Sequence, residues 1–172
     1  MKILIAYSSK HGTTKRCAEM LVEQLSGSCQ VSLCDVRAED IPSPDGFDVV
    51  ILGSSVRMAR ISKKIKKYMK INIEKLNAMP CAVFLCCGFP DEFDEYLRTE
   101  LPDGFEPSYG AHCFGGELKP QNVKGFERFL VKAIRRSITE HDFEDGNYKG
   151  MLPEILPEHI AILAGRILGK HL

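Results

Sequence analysis

Three short apolar runs that do not alternate with polar residues constrain this chain more than anything else in it. Lys2–Tyr7 (KILIAY), Asp48–Gly53 (DVVILG) and Cys81–Cys87 (CAVFLCC) are apolar at nearly every consecutive position. A strand with one wet face alternates; a strand covered on both faces, as in a parallel sheet, does not. Gln30–Val36 and Tyr109–Phe114 supply two further strands. Between them lie stretches with helical spacing. Ala18, Leu21, Val22 and Leu25 mark one helix that stops near Gly27, and Ile61, Ile65, Tyr68 and Met69 mark a second. Strands separated by helices predict a doubly wound α/β domain with a five-stranded parallel sheet over residues 1–172.

In such a sheet the ligand lies beyond the carboxyl ends of the strands, so the loops there carry the chemistry. After the first strand comes Ser8-Ser9-Lys10-His11-Gly12-Thr13-Thr14, a turn of hydroxyls, amides and one glycine that opens a helix. The first amides of a helix lack intrahelical acceptors and carry a partial positive charge, so a phosphate set there meets several donors at once. A Ser/Thr-rich turn in this place is equally the mark of an ordinary N-cap, and the residue types alone leave both readings open. The spacings G-x-G-x-x-G and G-x-x-x-x-G-K-[ST] are absent, which disfavours a dinucleotide or a nucleoside triphosphate and leaves a monophosphate. Ser54-Ser55-Val56-Arg57-Met58-Ala59-Arg60 follows the third strand as a second candidate wall. Gly88-Phe89-Pro90-Asp91 follows the fourth, with Asp91 as the expected N-cap of a helix through Tyr96 and Leu97. Gly115-Gly116 follows the fifth.

Charge narrows the partners. Lys plus Arg number 23 and Asp plus Glu number 23, a formal net charge of zero, which argues against nucleic acid. Lys63, Lys64, Lys66, Lys67 and Lys70 line one helix face, either as a solvated surface or as a patch for an acidic partner. Asp91 to Glu106 is acidic, with Arg98 as its single base. Phe126, Phe129, Leu130, Ala133, Ile134 and Ile138 form an apolar stripe among basic residues, which suits packing on the sheet better than peripheral contact with a membrane. Pro157 opens a last helix through Ile160, Leu163, Ala164 and Ile167. Without a leader-like segment or a spanning apolar run, a cytoplasmic protein is expected. The seven cysteines include no C-x-x-C pair, against structural zinc or a disulfide framework. Cys86 and Cys87 read first as core residues, with a redox role as the alternative.

The motif Ser9-x-His11-Gly12-x-Thr14 resembles the flavodoxin phosphate signature [ST]-x-T-G-x-T, with His11 in place of threonine. Nearly the whole chain resembles the flavodoxin-domain family that includes the menaquinone-dependent protoporphyrinogen oxidases. That likeness is carried by Gly53-Ser54-Ser55-Val56-Arg57 with its helix ending Lys67-Tyr68, Leu76-Asn77-Ala78-Met79-Pro80, and Phe114-Gly115-Gly116-x-Leu118. The resemblance implies strand order 2-1-3-4-5 and bound FMN. The phosphate would lie on Ser9, Lys10, His11, Gly12, Thr13 and Thr14. The ring would lie between Ser54, Ser55, Val56, Arg57 and Met58 on one side and Cys87, Gly88 and Phe89 on the other, with Gly115 and Gly116 at its edge. It also implies electron transfer with a redox partner protein or a small donor or acceptor; porphyrinogen oxidation with a quinone and a flavin-free docking role are the alternatives. Two departures stand out. The chain has no tryptophan to stack on a ring, and it is acidic before the fifth strand where the family's oxidases carry a basic insertion.

Overall fold

The computed structural model describes residues 1–117, Gly125, Phe129, Lys132 and residues 153–169. Five parallel strands, β1 (Lys2–Ser8), β2 (Gln30–Asp35), β3 (Val49–Ser55), β4 (Cys81–Cys86) and β5 (Ala111–Cys113), lie in the order β2-β1-β3-β4-β5. This is the order expected from the sequence. The helices described are α1 (Thr13–Leu25), α2 (Lys63–Ile71), α3 (Ile73–Asn77), α4 (Phe93–Glu100) and α5 (Pro157–Ile167).

Absence of alternation in β1, β3 and β4 has the expected cause: each face is covered. Ile3, Ile5, Val49, Ile51, Ala82 and Phe84 pack with Leu21 and Leu25 of α1 and Ile160 and Leu163 of α5. Leu4, Ala6, Val50, Leu52, Val83 and Leu85 pack on the other side with Ile65 and Met69 of α2 and Leu76 of α3. The edges are blunted differently. β2 leaves much of its length exposed, with Cys34 its one buried residue. β5 has only three residues, and its continuation is paired by the chain before α5, where Leu156 N–H donates to Phe114 O (3.0 Å) and Gly116 N–H to Glu154 O (3.1 Å).

The structure corrects several sequence boundaries. β3 does not end at Gly53 but continues through Ser55, so Ser54 and Ser55 are strand residues paired with Leu85 and Cys86. Asp91 is not an N-cap; it lies inside a 3-10 turn, Pro90–Glu92, and α4 begins at Phe93 without a side-chain cap. Pro90 accounts for this, since its fixed φ suits the first position of a helical turn. Leu118 and the stripe from Phe126 to Ile138, apart from Phe129, lie outside the described residues.

Gly53 pairs in register with Phe84, whose ring lies across it and stacks on Phe114 with centroids 4.6 Å apart. A Cβ at Gly53 would come within 2.1 Å of the Phe84 ring. Overpacking of this kind costs about 1–3 kcal/mol, so Gly53→Ala is expected to lower the denaturation midpoint by that equivalent. Gly27→Ala, where a Cβ meets nothing within 4 Å, should leave it within about 0.5 kcal/mol. Equal midpoints for the two variants would contradict the packing described.

Candidate functional site

At the carboxyl edge of the sheet the chain leaves β1 and β3 in opposite directions, and the gap between the two exits is the place where an open α/β sheet receives a ligand. The first wall is the turn from Ser9 to Gly12. Gly12 occupies the N-cap position of α1 with φ 98°, and no side chain caps the helix. A residue with a Cβ is disfavoured at that φ. Ser9 Oγ accepts from Gly12 N–H (3.1 Å), which tightens the turn, and Arg37 Nη1 donates to Ser9 O (2.9 Å), which braces it from the chain beyond β2. Because the N-cap is a glycine, the first amides of α1 are left to an external acceptor, and the first turn holds no acidic residue to compete for them. The ordinary-cap reading of this turn is therefore not the one the structure adopts.

Thr14 adds an observation of a different kind. Its residue is fully buried, and Oγ1 has no hydrogen-bond partner in the described structure. The Cys86 thiol lies near enough to this hydroxyl for the hydroxyl to ease its ionisation, but not in hydrogen-bond geometry; contact with Cys17 and burial outweigh that influence and push the thiol well up. A buried hydroxyl left without a partner costs about 1–3 kcal/mol, and beside uncapped helical amides it suits an anion that would supply the missing acceptor. His11 and Thr13 are half-buried in the same turn, and Lys10 is exposed.

The second wall is built differently from the sequence expectation of a free loop. Val56 N–H donates to Cys86 O (2.9 Å), continuing the β3–β4 ladder. Arg57 and Arg60 then exchange two backbone hydrogen bonds (2.9 and 3.0 Å) around Met58 and Ala59, whose φ values are 49° and 57°. Two positive φ values in a two-residue hairpin loop are the mark of a type I′ turn, and neither residue is one that adopts them readily. Met58 stands 84% exposed at the tip. Ser54, by contrast, is buried, and its hydroxyl accepts from Ser62 N–H (2.9 Å), so it ties the strand end to the start of α2. Ser55 is half-buried at the strand end.

Cys87, Gly88 and Phe89 form the third wall, with Cys87 buried and the other two half-buried. Gly116 lies flat on it: a Cβ there would meet Cys87 O at 2.6 Å. Gly115, with φ 70°, lies as closely on Glu154 O. Both glycines are needed by the protein's own backbone contacts. His112 is half-buried, its Nε2 2.9 Å from Tyr109 O, and burial lowers its pKa.

Sequence reasoning missed Glu100. It lies within the acidic stretch Asp91 to Glu106, yet it is 4% exposed and turned inward. Its carboxylate accepts from Ile61 N–H (3.3 Å) and lies 3.5 Å from Lys66 Nζ and 3.6 Å from Arg60 Nη1. It fastens the base of the Arg57–Arg60 turn to α4. The only signal for it is a Glu at the last position of an amphipathic helix, and its two bases, Lys66 and Arg60, lie 34 and 40 residues earlier in the chain, a separation that spacing does not reveal. Asp91, Glu92, Asp94, Glu95, Asp103 and Glu106 remain exposed. Among the described residues no group of three or more His, Cys, Asp or Glu can hold a metal ion, and no helix is long and apolar enough to cross a membrane.

Comparison with known proteins gives concordant results. A family model described as "Flavodoxin domain" matches residues 4–145. The protoporphyrinogen IX dehydrogenase [quinone] of Escherichia coli K12 is 24% identical over 144 residues, 79% of this chain and 80% of that protein. The protein of the same name from Leishmania major is 32% identical over 149 residues, covering 78% of this chain and 62% of its own length. Among solved structures, two-electron reduced Megasphaera elsdenii flavodoxin superposes with a TM-score of 0.51 at 15% identity, over 64% of this chain and 84% of that one. This last likeness speaks to the fold.

Removal of the Glu100 carboxylate should loosen the second wall before it unfolds the domain. Glu100→Ala is expected to cost about 1–3 kcal/mol, because it strips a charged acceptor from a buried amide. Limited proteolysis should cut first at Met58–Arg60. Unchanged stability and an unchanged cleavage pattern would remove Glu100 from this role.

Proposed function

This chain belongs to the flavodoxin-domain family, and from that premise we propose that it is an FMN-dependent redox protein of a single domain. The observation that carries the reading is the first wall: uncapped amides of α1 behind a positive-φ glycine, with the buried, unpartnered hydroxyl of Thr14 beside them. That donor set fits one phosphate monoester. In this reading Ser9, Lys10, His11, Gly12, Thr13 and Thr14 hold the phosphate. Ser55, Val56, Arg57 and Met58 flank the ring on one side, with Ser54 fixing the strand end beneath them. Cys87, Gly88 and Phe89 flank it on the other, and Gly115 and Gly116 close the edge.

When bound, the flavin supplies one- and two-electron chemistry, and the protein's work is to bind, orient and tune it. Phe89 is the aromatic available for stacking where the chain lacks tryptophan. Met58 offers an exposed apolar tip, and the Arg57 and Arg60 side chains flank it as the bases of that turn. The Arg57–Arg60 hairpin, held from below by Glu100, keeps that wall in place.

A second reading is favoured by the names of the two relatives: oxidation of protoporphyrinogen with a quinone as acceptor. A porphyrinogen is a broad apolar ring with carboxylate side chains, so it would need apolar surface and bases at the open edge. Val56, Met58 and Phe89 supply the first, Arg57 and Arg60 the second. The exposed carboxylates of α4 and its approach oppose it. The balance favours an electron carrier that works with small donors and acceptors or a partner protein, in the cytoplasm.

The purified protein should be yellow, or become so with FMN. Anaerobic assay with protoporphyrinogen and a menaquinone analogue decides between the two readings: slow or absent turnover is expected. Turnover of about 1 per second or faster that disappears in Arg57→Ala would make the dehydrogenase the function. Gly12→Ala should weaken FMN by about 5- to 30-fold, since a Cβ at that φ costs about 1–2 kcal/mol. Lys10→Ala removes one exposed, screened charge and should cost no more than about fivefold. Matched affinities for the two variants would contradict the cradle. With a basic redox protein as partner, the rate should fall steeply with salt, because steering by the exposed carboxylates is screened beyond about 8–10 Å.

A further inference from the structure

Adjacent cysteines at a strand end cannot meet each other easily, because successive side chains point to opposite faces of the sheet. Cys86 and Cys87 obey this. Cys86 belongs to the core on the α1 and α5 side, and Cys87 to the core on the α2 and α4 side. Each therefore finds a partner on its own face. For Cys87 that partner is Cys113, the last residue of β5. Their sulfurs are 3.5 Å apart, and both thiols are buried. Leu85 pairs in register with Cys113, so Cys87, two residues on and on the same face, leans back towards it. Sulfur atoms in that contact need to close by about 1.5 Å to form a bond.

The location matters as much as the distance. The Cys86 carbonyl, one residue before Cys87, accepts Val56 N–H of the second wall (2.9 Å), and the Cys87 carbonyl is the surface on which Gly116 lies. Cys87 is thus part of the third wall, with its sulfur turned to the inside of the sheet edge. Both thiols are buried, and the Cys87 backbone is itself part of the wall against which a ligand between the walls would sit.

We propose that Cys87 and Cys113 form a reversible dithiol–disulfide couple in the wall of the cofactor site. Its electron partner is the flavin, and this part rests on the function proposed above. The exchange balances. One thiolate and one thiol of the pair join in one S–S bond, lose an electron pair and release the remaining proton; oxidised flavin, when bound, would take up the pair and the proton. The reverse step returns them and breaks the bond. The ionisation of the pair suits this. Donation from the Cys87 S–H lowers Cys113 to about 7, against the effect of burial, with help from Gly115 N–H and nearby His159. The same contact pushes Cys87 well up. Hydrogen bonding across the contact thus favours loss of one proton from the pair as a unit, and the sulfur left ionised is the nucleophile.

The test has two arms. Flavin-free full-length protein is treated with diamide, blocked at its remaining thiols and digested. A peptide pair joined through Cys87 and Cys113, released by dithiothreitol, is expected. Free thiols throughout, or a link through Cys86 to Cys17 or Cys87, would overturn the couple without touching the flavin reading. In the second arm, diamide-treated protein loaded with FMN is titrated anaerobically with dithionite. Wild type should take up one more electron pair per flavin than Cys113→Ser or Cys113→Ala, while flavin absorbance bleaches fully in all three. Equal uptake would overturn the couple. Failure of the protein to take up FMN at all would overturn the flavin as its electron partner, and the linked peptide in the first arm then decides the couple by itself.

Discussion

The site depends on one arrangement: a helix that starts directly behind a central strand and is not capped. Ser9, Thr13 and Thr14 surround the start of α1, yet none of them caps it, because Gly12 takes the N-cap position with a φ that favours glycine. The amides and the partial charge of the helix end are then turned outward at the gap between β1 and β3. Everything else at this edge supports that turn or faces it. Arg37 braces the Ser9 carbonyl, and the ladder from β3 to β4 carries on past the strand ends to set Val56 opposite Cys87.

Much of this was legible in the sequence because it follows from local causes. Apolar runs without alternation give buried parallel strands, and the faces of Leu21, Leu25, Ile65 and Met69 give the helices that bury them. The strand order followed from the resemblance of the loop motifs to a known family. What the sequence hid depends on contacts between distant residues. Ser54 looked like a loop hydroxyl facing a ligand, but its partner is the Ser62 amide at the start of α2. Glu100 looked like one more surface acid, but it is buried under the Arg57–Arg60 turn. Gly115 and Gly116 are expected at the ring edge from the sequence, and the contacts that require them to be glycine, with the Glu154 and Cys87 backbone, are long-range ones the sequence does not show. Asp91 looked like a cap, and Pro90 moved the helix start past it.

The second wall shows what such distant contacts accomplish. Met58 and Ala59 hold positive φ without being glycine or asparagine, a conformation that costs about 1–3 kcal/mol per residue. The Glu100 carboxylate offsets part of this cost by fixing Ile61 and drawing in Arg60 and Lys66. The result is a hairpin closed by two backbone hydrogen bonds, with an exposed apolar tip between two bases.

Recognition of the phosphate distinguishes this site from an ordinary helix start. Titration of flavin-free protein with FMN and with riboflavin, followed by calorimetry under identical salt, separates the cradle from the ring walls. Two charge-assisted hydrogen bonds of about 1.5 kcal/mol each make FMN the tighter ligand by about a hundredfold or more. Equal affinity for the two, or binding of neither, would contradict the claim that the uncapped start of α1 and the Thr14 hydroxyl exist to hold a phosphate.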